Sequence, residues 1–240
     1  MLRGLLVVAV HLLLVPVLAL TGIIVHSLAP RLEIIPRFGK LWAGAVMAAG
    51  GVRRRVVGRE IVERTRPAVV VGNHTSHLDT YLFVHILPPP FRVVAKAPLF
   101  RIPFFGQAMR AAGMVPVDRL GRKEDIERVD RLRHALREGA LLVFFPEGTR
   151  RRDGRLGPFK KGAFVVAIQE QVPIVPMVIE GAHRIHPPGS IRFRPGTVTV
   201  RFLEPIPTTG LTFEDRDALI AEVRSRFIAA LPPDQRPEEP

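Results

Sequence analysis

The first apolar stretch of the chain is long and uncharged. Residues Leu5 to Leu28 carry no charged side chain when His is counted as neutral, and a helix of this length measures roughly 36 Å, enough to cross a hydrocarbon core. A second apolar run, Leu41 to Val52, follows Pro30 and Pro36 and is too short to span a membrane comfortably. The pattern predicts either one spanning helix or a hairpin of two helices lying in one leaflet.

Short apolar runs alternate with longer amphipathic segments through the rest of the chain. Strands are predicted at Val56–Val62, Ala68–Val71, Arg92–Ala95, Met114–Val117, Leu141–Phe145, Ile174–Ile179 and Thr197–Leu203. Helices are predicted at Ser76–Ile86, Phe100–Ala111, Lys123–Glu138, Phe159–Glu170 and Glu214–Leu231. This alternation predicts an α/β fold, with a largely parallel or mixed sheet flanked by helices.

These patterns divide the chain into three segments. We expect membrane-anchoring helices in residues 1–52 and an α/β domain in residues 53–231. The last segment, residues 232–240, is rich in Pro and Glu, and this composition predicts a disordered tail.

The charge balance narrows the choice of partner. The chain has 35 Lys and Arg against 22 Asp and Glu, a net charge of +13, which indicates nucleic acid, a membrane surface or a phosphorylated substrate. Aromatic residues make up only 7%, a poor stock for stacking on bases, so we expect no nucleic-acid partner. The chain contains no Cys, which excludes disulfides, thiolate metal sites and a Cys nucleophile.

The residues on either side of the first apolar run indicate the location of the protein in the cell. Arg3 precedes the run, as it would in a cleaved signal peptide, but the run is long for one and no Ala-x-Ala site follows. Basic residues are frequent on its C-terminal side, including the cluster Arg53–Arg55. By the positive-inside rule, the pattern predicts a protein of the cell membrane with its catalytic domain on the cytoplasmic side and an anionic membrane surface as partner.

The first candidate for chemistry is Asn73-His74-Thr75-Ser76-His77-Leu78-Asp79, which directly follows the predicted strand Ala68–Val71. Catalytic groups of α/β folds collect at the carboxyl ends of strands. If His74 lies in the loop and Asp79 on the next helix, Asp79 can accept one ring N–H and leave the other nitrogen as a base for a hydroxyl. Ser76-x-x-Asp79 also matches a capping box, so a purely structural role fits equally well.

Other polar segments also follow predicted strands. Phe145-Pro146-Glu147-Gly148-Thr149-Arg150 joins a glycine to a hydroxyl and a guanidinium, which suits an anionic oxygen. Val117-Asp118-Arg119 ends another strand, and a plain turn or a surface salt bridge is the alternative for either segment. Phe159-Lys160-Lys161-Gly162 adds positive charge at a helix start, where anions are favoured.

Together these segments resemble the glycerolipid acyltransferases, the 1-acylglycerol-3-phosphate acyltransferase group. Asn73-His74-x-Ser76-x-x-Asp79 looks like the His-x4-Asp motif of that family, and Phe145 to Arg150 looks like its Phe-Pro-Glu-Gly-Thr-Arg block. Both are nearly complete, and together they are highly specific. Thr75 departs from the pattern, because many members carry Gln there.

Two further blocks extend the resemblance from about Leu41 to about Leu203. Gly113 to Arg119 is similar to the second block of the family, with Lys96 and Pro103-Phe104 upstream in the same style. Val172 to Pro176 is similar to the fourth block, which would shape the acyl side of the site.

The resemblance implies a reaction and a set of roles. His74 would deprotonate the acceptor hydroxyl for direct attack on an acyl thioester, either acyl-CoA or acyl carrier protein, and Asp79 would orient His74. The acceptor would be the sn-2 hydroxyl of lysophosphatidic acid, giving phosphatidic acid, with no cofactor and no metal. The implied substrate-binding residues, which include a phosphate-binding set, are Asn73, Ser76, Lys96, Arg119, Glu147, Gly148, Thr149 and Arg150.

Several alternatives remain open. The acceptor could be another lysolipid or a lyso-ornithine lipid. A lipid-directed serine hydrolase could use His74 and Asp79, with Ser76 as the nearest serine. A metal site from His74 and His77, or from His183 and His186, is weak, because neither pair has a nearby carboxylate at ligand spacing. A membrane-binding protein without activity would explain the anchor and the charge, but it would not explain the four ordered blocks.

Overall fold

The structure of the chain, a computed structural model, describes residues 1–29, 34–117 and 124–238. The helices of the described residues are α1 Leu2–Leu28, α2 Ile34–Gly50, α3 Arg59–Arg64, α4 Leu78–Ile86, α5 Phe105–Ala111, α6 Glu124–Arg137, α7 Gly162–Gln169, α8 Ala182–Ile185 and α9 Arg216–Ala230. The strands are β1 Val52–Val57, β2 Ala68–Gly72, β3 Phe91–Lys96, β4 Val115–Val117, β5 Leu141–Phe144, β6 Ile174–Glu180 and β7 Gly196–Phe202.

The strands form one sheet in the order β1-β7-β6-β2-β5-β3-β4. Strands β2 to β6 run parallel to one another, whereas β7 is antiparallel to β6 and pairs in parallel with β1. All five residues of the central strand β2 are buried, as expected for a continuous Val-rich run that is covered on both faces. The sheet is mixed and flanked by helices, which confirms the predicted fold class.

Each face of the sheet is covered by its own hydrophobic core. On one face, Met47 of α2 and Leu78 and Leu82 of α4 are almost completely buried against the strands. On the other face, the buried residues include Phe164 of α7 and Phe227 of α9. Burying about 150–250 Å² of each aromatic ring is among the largest single contributions to such a core.

The N-terminal helices pack on the first of these faces. Gly22 of α1 lies against Phe38 and Ile35 at the start of α2, so the end of α1 lies beside the start of α2. Helix α2 in turn packs against α4, where a Cβ at Gly44 would lie 3.2 Å from the ring of His85. The predicted anchoring segment 1–52 is therefore joined to the α/β domain through α2.

The outer face of α1 is apolar and exposed. Leu12, Leu13 and Val17 are 60–70% exposed. Helix α1 is long and apolar enough to cross a membrane, judged by length and composition. Apolar side chains exposed over most of a helix are unfavourable in water.

The structure differs from the predicted elements at two places near the N-terminal half. The predicted strand Val56–Val62 is wrong, because Gly58 has a φ of 74° that ends β1 and the next six residues form α3. The predicted helix Phe100–Ala111 begins only at Phe105, after a 3₁₀ turn at Ala97–Arg101. Pro98 and Pro103 fix φ in this stretch and remove N–H donors, which breaks a continuous α-helix.

The end of the chain also differs from the predicted disordered tail. Pro233–Gln235 form a 3₁₀ turn, and Gln235 is fully buried. Its Oε1 accepts the N–H of Gly181 at 2.8 Å, and its backbone carbonyl accepts the N–H of Leu156 at 2.9 Å. A low-hydrophobicity segment can be ordered in this way when a single polar side chain satisfies buried backbone groups.

Candidate active site

Parallel strands bring the predicted motifs to one edge of the sheet. The loop after β2 carries His74, the loop after β5 carries Glu147 to Arg150, and Lys96 ends β3. Since β2, β3 and β5 are parallel, their carboxyl ends meet at the same edge, which is where α/β enzymes bind their ligands. The first and third sequence blocks therefore come together, as predicted.

His74 and Asp79 form a direct contact at this edge. Nδ1 of His74 lies 2.8 Å from Oδ2 of Asp79. The side chain of Asp79 is completely buried and that of His74 is 20% exposed, so the ring is reachable from outside and its partner is not. A carboxylate that accepts Nδ1–H leaves Nε2 of a neutral imidazole with a free lone pair, which can act as a base.

The local chain conformation holds this pair in place. Oδ2 of Asp79 also accepts the backbone N–H groups of Thr75 at 2.8 Å and Ser76 at 2.9 Å, at the entry to α4. Hydrogen bonds to the charged form stabilise a buried carboxylate that would otherwise be costly. The ring of His74 also lies over Phe145, with centroids 4.5 Å apart.

Asn73 and Ser76 are buried and bonded to the backbone. The amide of Asn73 donates to the carbonyl of Ile179 at 2.9 Å and accepts its N–H at 2.7 Å, which ties the loop to β6. The hydroxyl of Ser76 donates to the carbonyl of His186 at 2.6 Å and accepts the N–H of Leu78 at 3.0 Å. Because each of these polar atoms already has a backbone partner, we propose that Asn73 and Ser76 position the loop that carries His74. Their binding of substrate stays a prediction.

Glu147 bridges two loops beneath His74. Its Oε1 accepts the backbone N–H of His74 at 2.7 Å, and its Oε2 accepts that of Gly157 at 2.9 Å. Burial raises the pKa of this carboxyl to about 7, and the two N–H donors act in the opposite direction. Because both oxygens of this buried carboxyl already accept backbone N–H groups, we propose that Glu147 holds the backbone of His74 in place. Its predicted part in substrate binding stays a prediction.

Arg150 presents a free donor at the same edge. Its Nη1 is buried and has no hydrogen-bond partner in the part of the chain that the structure describes. Burial lowers the pKa of this guanidinium, while Asp79 and Tyr81 act to raise it. Because a buried unpaired donor is costly, this geometry suits an anionic ligand that would accept the N–H.

The loop between Glu147 and Arg150 depends on a glycine. Gly148 has a φ of 68°, and a Cβ at this position would lie 2.7 Å from Nζ of Lys160. Thr149 in the same loop is exposed, as are Lys160 and, at the end of β3, Lys96. The loop therefore offers an exposed hydroxyl at Thr149, with the cation of Lys160 close to Gly148. Arg119, predicted to join this set, lies outside the described residues.

Two residues near the site were not predicted. Tyr81 lies on α4, and its hydroxyl is 3.0 Å from Nε2 of His11 on α1. His11, one of the two histidines inside the apolar run of α1, was the available signal for this contact. Among the described residues, no group of three or more His, Cys, Asp or Glu could hold a metal ion.

The edge thus carries a histidine whose ring is held by a buried carboxylate, near an arginine whose Nη1 has no partner among the described residues. Such an arrangement can activate a hydroxyl next to an anionic group. The sequence model of the acyltransferase family matches residues 53–180. The chain therefore belongs to the acyltransferase family, and the resemblance noted in the sequence is confirmed.

Individual relatives agree with this membership. A 1-acyl-sn-glycerol-3-phosphate acyltransferase of Limnanthes douglasii is 32% identical over 221 residues, which cover 90% of this chain and 78% of the relative. The human 1-acyl-sn-glycerol-3-phosphate acyltransferase alpha is 37% identical over 179 residues, covering 74% of this chain and 63% of the relative. The crystal structure of the 1-acyl-sn-glycerophosphate acyltransferase PlsC from Thermotoga maritima has a TM-score of 0.79 at 22% identity, covers 94% of this chain and 91% of that one, and shares the fold.

Proposed function

We propose that this chain transfers a fatty acyl group from an acyl thioester to the sn-2 hydroxyl of lysophosphatidic acid, giving phosphatidic acid. The observation that carries the proposal is the position of His74, whose Nδ1 is held by Asp79 at 2.8 Å while Nε2 is left as a base. Relatives named for this reaction, such as the one from Limnanthes douglasii, support the choice of acceptor.

The reaction needs only side chains already in place. Nε2 of His74 takes the proton of the acceptor hydroxyl as its oxygen attacks the thioester carbonyl. The C–O bond of the new ester forms, the C–S bond breaks, and the proton passes from the imidazolium to the departing thiolate. Asp79 holds the ring in one tautomer and stabilises its charged form.

A covalent enzyme intermediate is not required. The chain has no Cys and no Gly-x-Ser-x-Gly nucleophile elbow. Ser76 is fully buried, and its hydroxyl donates to the carbonyl of His186 at 2.6 Å. A hydroxyl that donates to a carbonyl instead of to His74 is not arranged as a nucleophile. The contacts of Ser76 therefore disfavour the serine hydrolase that the sequence left open.

The phosphate of the acceptor would bind to cations at the same edge. Nη1 of Arg150 is buried and lacks a partner among the described residues, and Thr149 in the same loop and Lys96 at the end of β3 are exposed. We place Arg119 in the same set on the strength of the sequence resemblance. A guanidinium binds a phosphate through two parallel N–H groups, which gives both affinity and orientation.

The donor and the location complete the proposal. Acyl-CoA and acyl carrier protein are both anionic, so either suits a chain of net charge +13. We propose that α1 anchors the protein in the cell membrane, with the catalytic domain on the cytoplasmic side, where the exposed cluster Arg53–Arg55 meets anionic headgroups.

One experiment tests the reaction directly. Purified protein is incubated with lysophosphatidic acid and either acyl-CoA or acyl carrier protein, and the lipids are identified by mass spectrometry. Phosphatidic acid formed in equal amount to the released thiol supports the proposal. Free fatty acid without phosphatidic acid would indicate a hydrolase, and product from lyso-ornithine lipid alone would change the acceptor. His74→Ala is the control for background transfer.

A further inference from the structure

A short segment beside the active-site edge exposes three apolar side chains. Between β3 and α5, Leu99 is 39% exposed, Ile102 is 45% exposed and Phe104 is 43% exposed. Their neighbour Phe100 is only 4% exposed and fixes the segment to the domain. We name Leu99, Ile102 and Phe104 the apolar patch. Such a cluster on a short turn indicates a binding surface, because isolated exposed apolar residues are ordinary but grouped ones are not.

The backbone holds Phe104 in a strained conformation while its ring is exposed. Phe104 has a φ of 62°, in the left-handed region that residues with a Cβ rarely adopt. Gly106 makes this turn possible, since a Cβ there would lie 2.2 Å from the carbonyl oxygen of Phe100. The N–H of Gly106 donates to Ile102 at 2.8 Å and that of Ala108 donates to Phe104 at 2.9 Å. The turn is therefore built to project Phe104 outward, and strain of this kind collects at functional surfaces.

The surroundings of the patch identify what covers it. Helix α5, which follows the patch, packs against α1, and Phe105 lies 5.7 Å from the ring of Trp42 on α2. The patch is thus next to α1, whose outer face is apolar and exposed. Two exposed cations belong to the same stretch of chain, Lys96 before the patch and Arg101 between Leu99 and Ile102. Apolar side chains bordered by Lys and Arg suit the boundary between acyl chains and anionic headgroups.

We infer that Leu99, Ile102 and Phe104 enter the same phospholipid leaflet as α1, as a second and separate membrane contact. The segment follows the carboxyl end of β3, so this contact holds the edge that carries His74 against the membrane surface. A lysolipid would then reach Nε2 of His74 from the leaflet without leaving it fully. The inference rests on the proposed anchoring through α1.

Because the chain has no Cys, single-cysteine labelling tests the contact cleanly. An environment-sensitive fluorophore is attached to Phe104→Cys, Leu99→Cys, Leu12→Cys on the outer face of α1, and Phe213→Cys, which is 55% exposed on the turn before α9. The full-length proteins are mixed with vesicles of phosphatidylcholine and phosphatidylglycerol. We expect a blue shift and quenching by acyl-brominated lipids at positions 104, 99 and 12, and neither at 213.

The labels separate failure of the inference from failure of the anchor. A shift at Leu12→Cys with none at either patch position would overturn the second contact and leave α1 as the anchor. No shift at any position would overturn the anchoring itself. Leu99→Cys keeps the test valid if the strained position 104 does not tolerate the label, since Leu99 lies in a 3₁₀ turn of ordinary φ.

Kinetics test whether the contact serves the reaction. In Leu99→Ser/Ile102→Ser, the KM for a lysolipid held in vesicles should rise about tenfold, the effect of losing part of two buried apolar side chains. The KM for a short-chain, water-soluble lysolipid should stay unchanged. The matched control is Phe213→Ser, for which we expect the same KM as wild type with both lysolipids. An equal rise for both substrates would place the patch in substrate binding and overturn a membrane role.

Discussion

Oδ2 of Asp79 accepts three hydrogen bonds, one from Nδ1 of His74 at 2.8 Å and two from the backbone N–H groups that open helix α4. One oxygen therefore orients the ring of His74 and also accepts the backbone N–H groups at the start of the helix. The sequence left a His–Asp pair and a helix cap as alternatives, and in the structure one oxygen makes both kinds of contact. The consequence is that the position of His74 is as rigid as the helix start.

The first prediction separates the two roles of Asp79. His74→Ala should lower kcat by about 10²–10⁴, the contribution expected of a general base. Asp79→Asn should lower kcat to a similar extent, although its amide oxygen can still accept the backbone N–H groups of Thr75 and Ser76. The measurement is steady-state kinetics with lysophosphatidic acid, with circular dichroism to verify folding. Activity above about a tenth of wild type in His74→Ala would rule out the base.

The second prediction concerns Glu147 and pH. Burial raises the pKa of its carboxyl from 4.5 to about 7 in the folded protein. In this interval the folded state binds more protons than the unfolded state, so the free energy of unfolding falls as pH rises. The loss from this group is expected to reach about 3 kcal/mol near neutral pH and to stay constant above it. The measurement is urea unfolding in detergent at several pH values.

A pair of variants isolates the contribution of Glu147. Glu147→Gln removes the titrating carboxyl, so the free energy of unfolding of this variant should not fall with pH in this interval. The variant also loses one contact, because the amide NH₂ of Gln then faces the backbone N–H of either His74 or Gly157. Glu138→Gln, at an exposed carboxylate on the protein surface, should keep the slope of wild type. The same slope in wild type and Glu147→Gln would show that this carboxyl does not titrate in the interval.

Much of the fold was predictable because the local signals are strong. The central strands β2, β5 and β6 are uninterrupted apolar runs, and such runs predict buried parallel strands directly. The contact of His74 with Asp79 followed from one assumption, that the two residues lie on either side of a helix start. The boundary of β1 could not be predicted, because the exposed run Arg53–Arg55 hides the strand and only the conformation of Gly58 ends it.

The roles of several site residues depend on contacts far along the chain. Asn73 bonds to Ile179 and Ser76 bonds to the carbonyl of His186, partners more than a hundred residues away. No local pattern shows that these polar side chains are buried and occupied. Gln235 is a similar case. The composition of residues 232–240 predicts disorder, but the side-chain amide of Gln235 bonds to the carbonyl of Ile179 in β6 and to the N–H of Gly181. The hydrogen-bond partners of these polar side chains therefore could not be predicted from the sequence and became clear only from the three-dimensional structure.

The third prediction tests phosphate recognition by Arg150. Arg150→Lys should raise the KM for lysophosphatidic acid by about 10-fold or more, since an ammonium cannot replace a two-point guanidinium contact. The KM for the acyl donor, and the rate with the neutral acceptor monoacylglycerol, should change much less. Arg152→Lys, at an exposed position two residues away, is the matched control and should behave as wild type. Equal losses on both acceptors would assign Arg150 to stability of the fold.

The fourth prediction concerns the link between the anchor helix and the site. Nδ1 of His11 lies 2.7 Å from the carbonyl of Val7 and so donates to it, which leaves Nε2 to accept from the hydroxyl of Tyr81 at 3.0 Å. Trp42 lies edge-on to both rings, 5.6 Å from His11 and 5.2 Å from Tyr81. Tyr81 and Asp79 share α4, so this bond ties α1 to the helix that orients His74.

A double-mutant cycle measures that link. Tyr81→Phe and His11→Leu each leave one polar group unpaired, and each should lower the free energy of unfolding by about 1–3 kcal/mol. In His11→Leu/Tyr81→Phe both groups are gone, so the loss should be smaller than the sum, with a coupling of about 0.5–3 kcal/mol. The single variants should also lower kcat, because α4 carries Asp79. Ser27→Ala is the control and should change neither quantity, because the hydroxyl of Ser27 donates to the carbonyl of Ile23 within α1 itself. Strictly additive losses in urea unfolding would mean that the two side chains are neighbours without a stabilising bond.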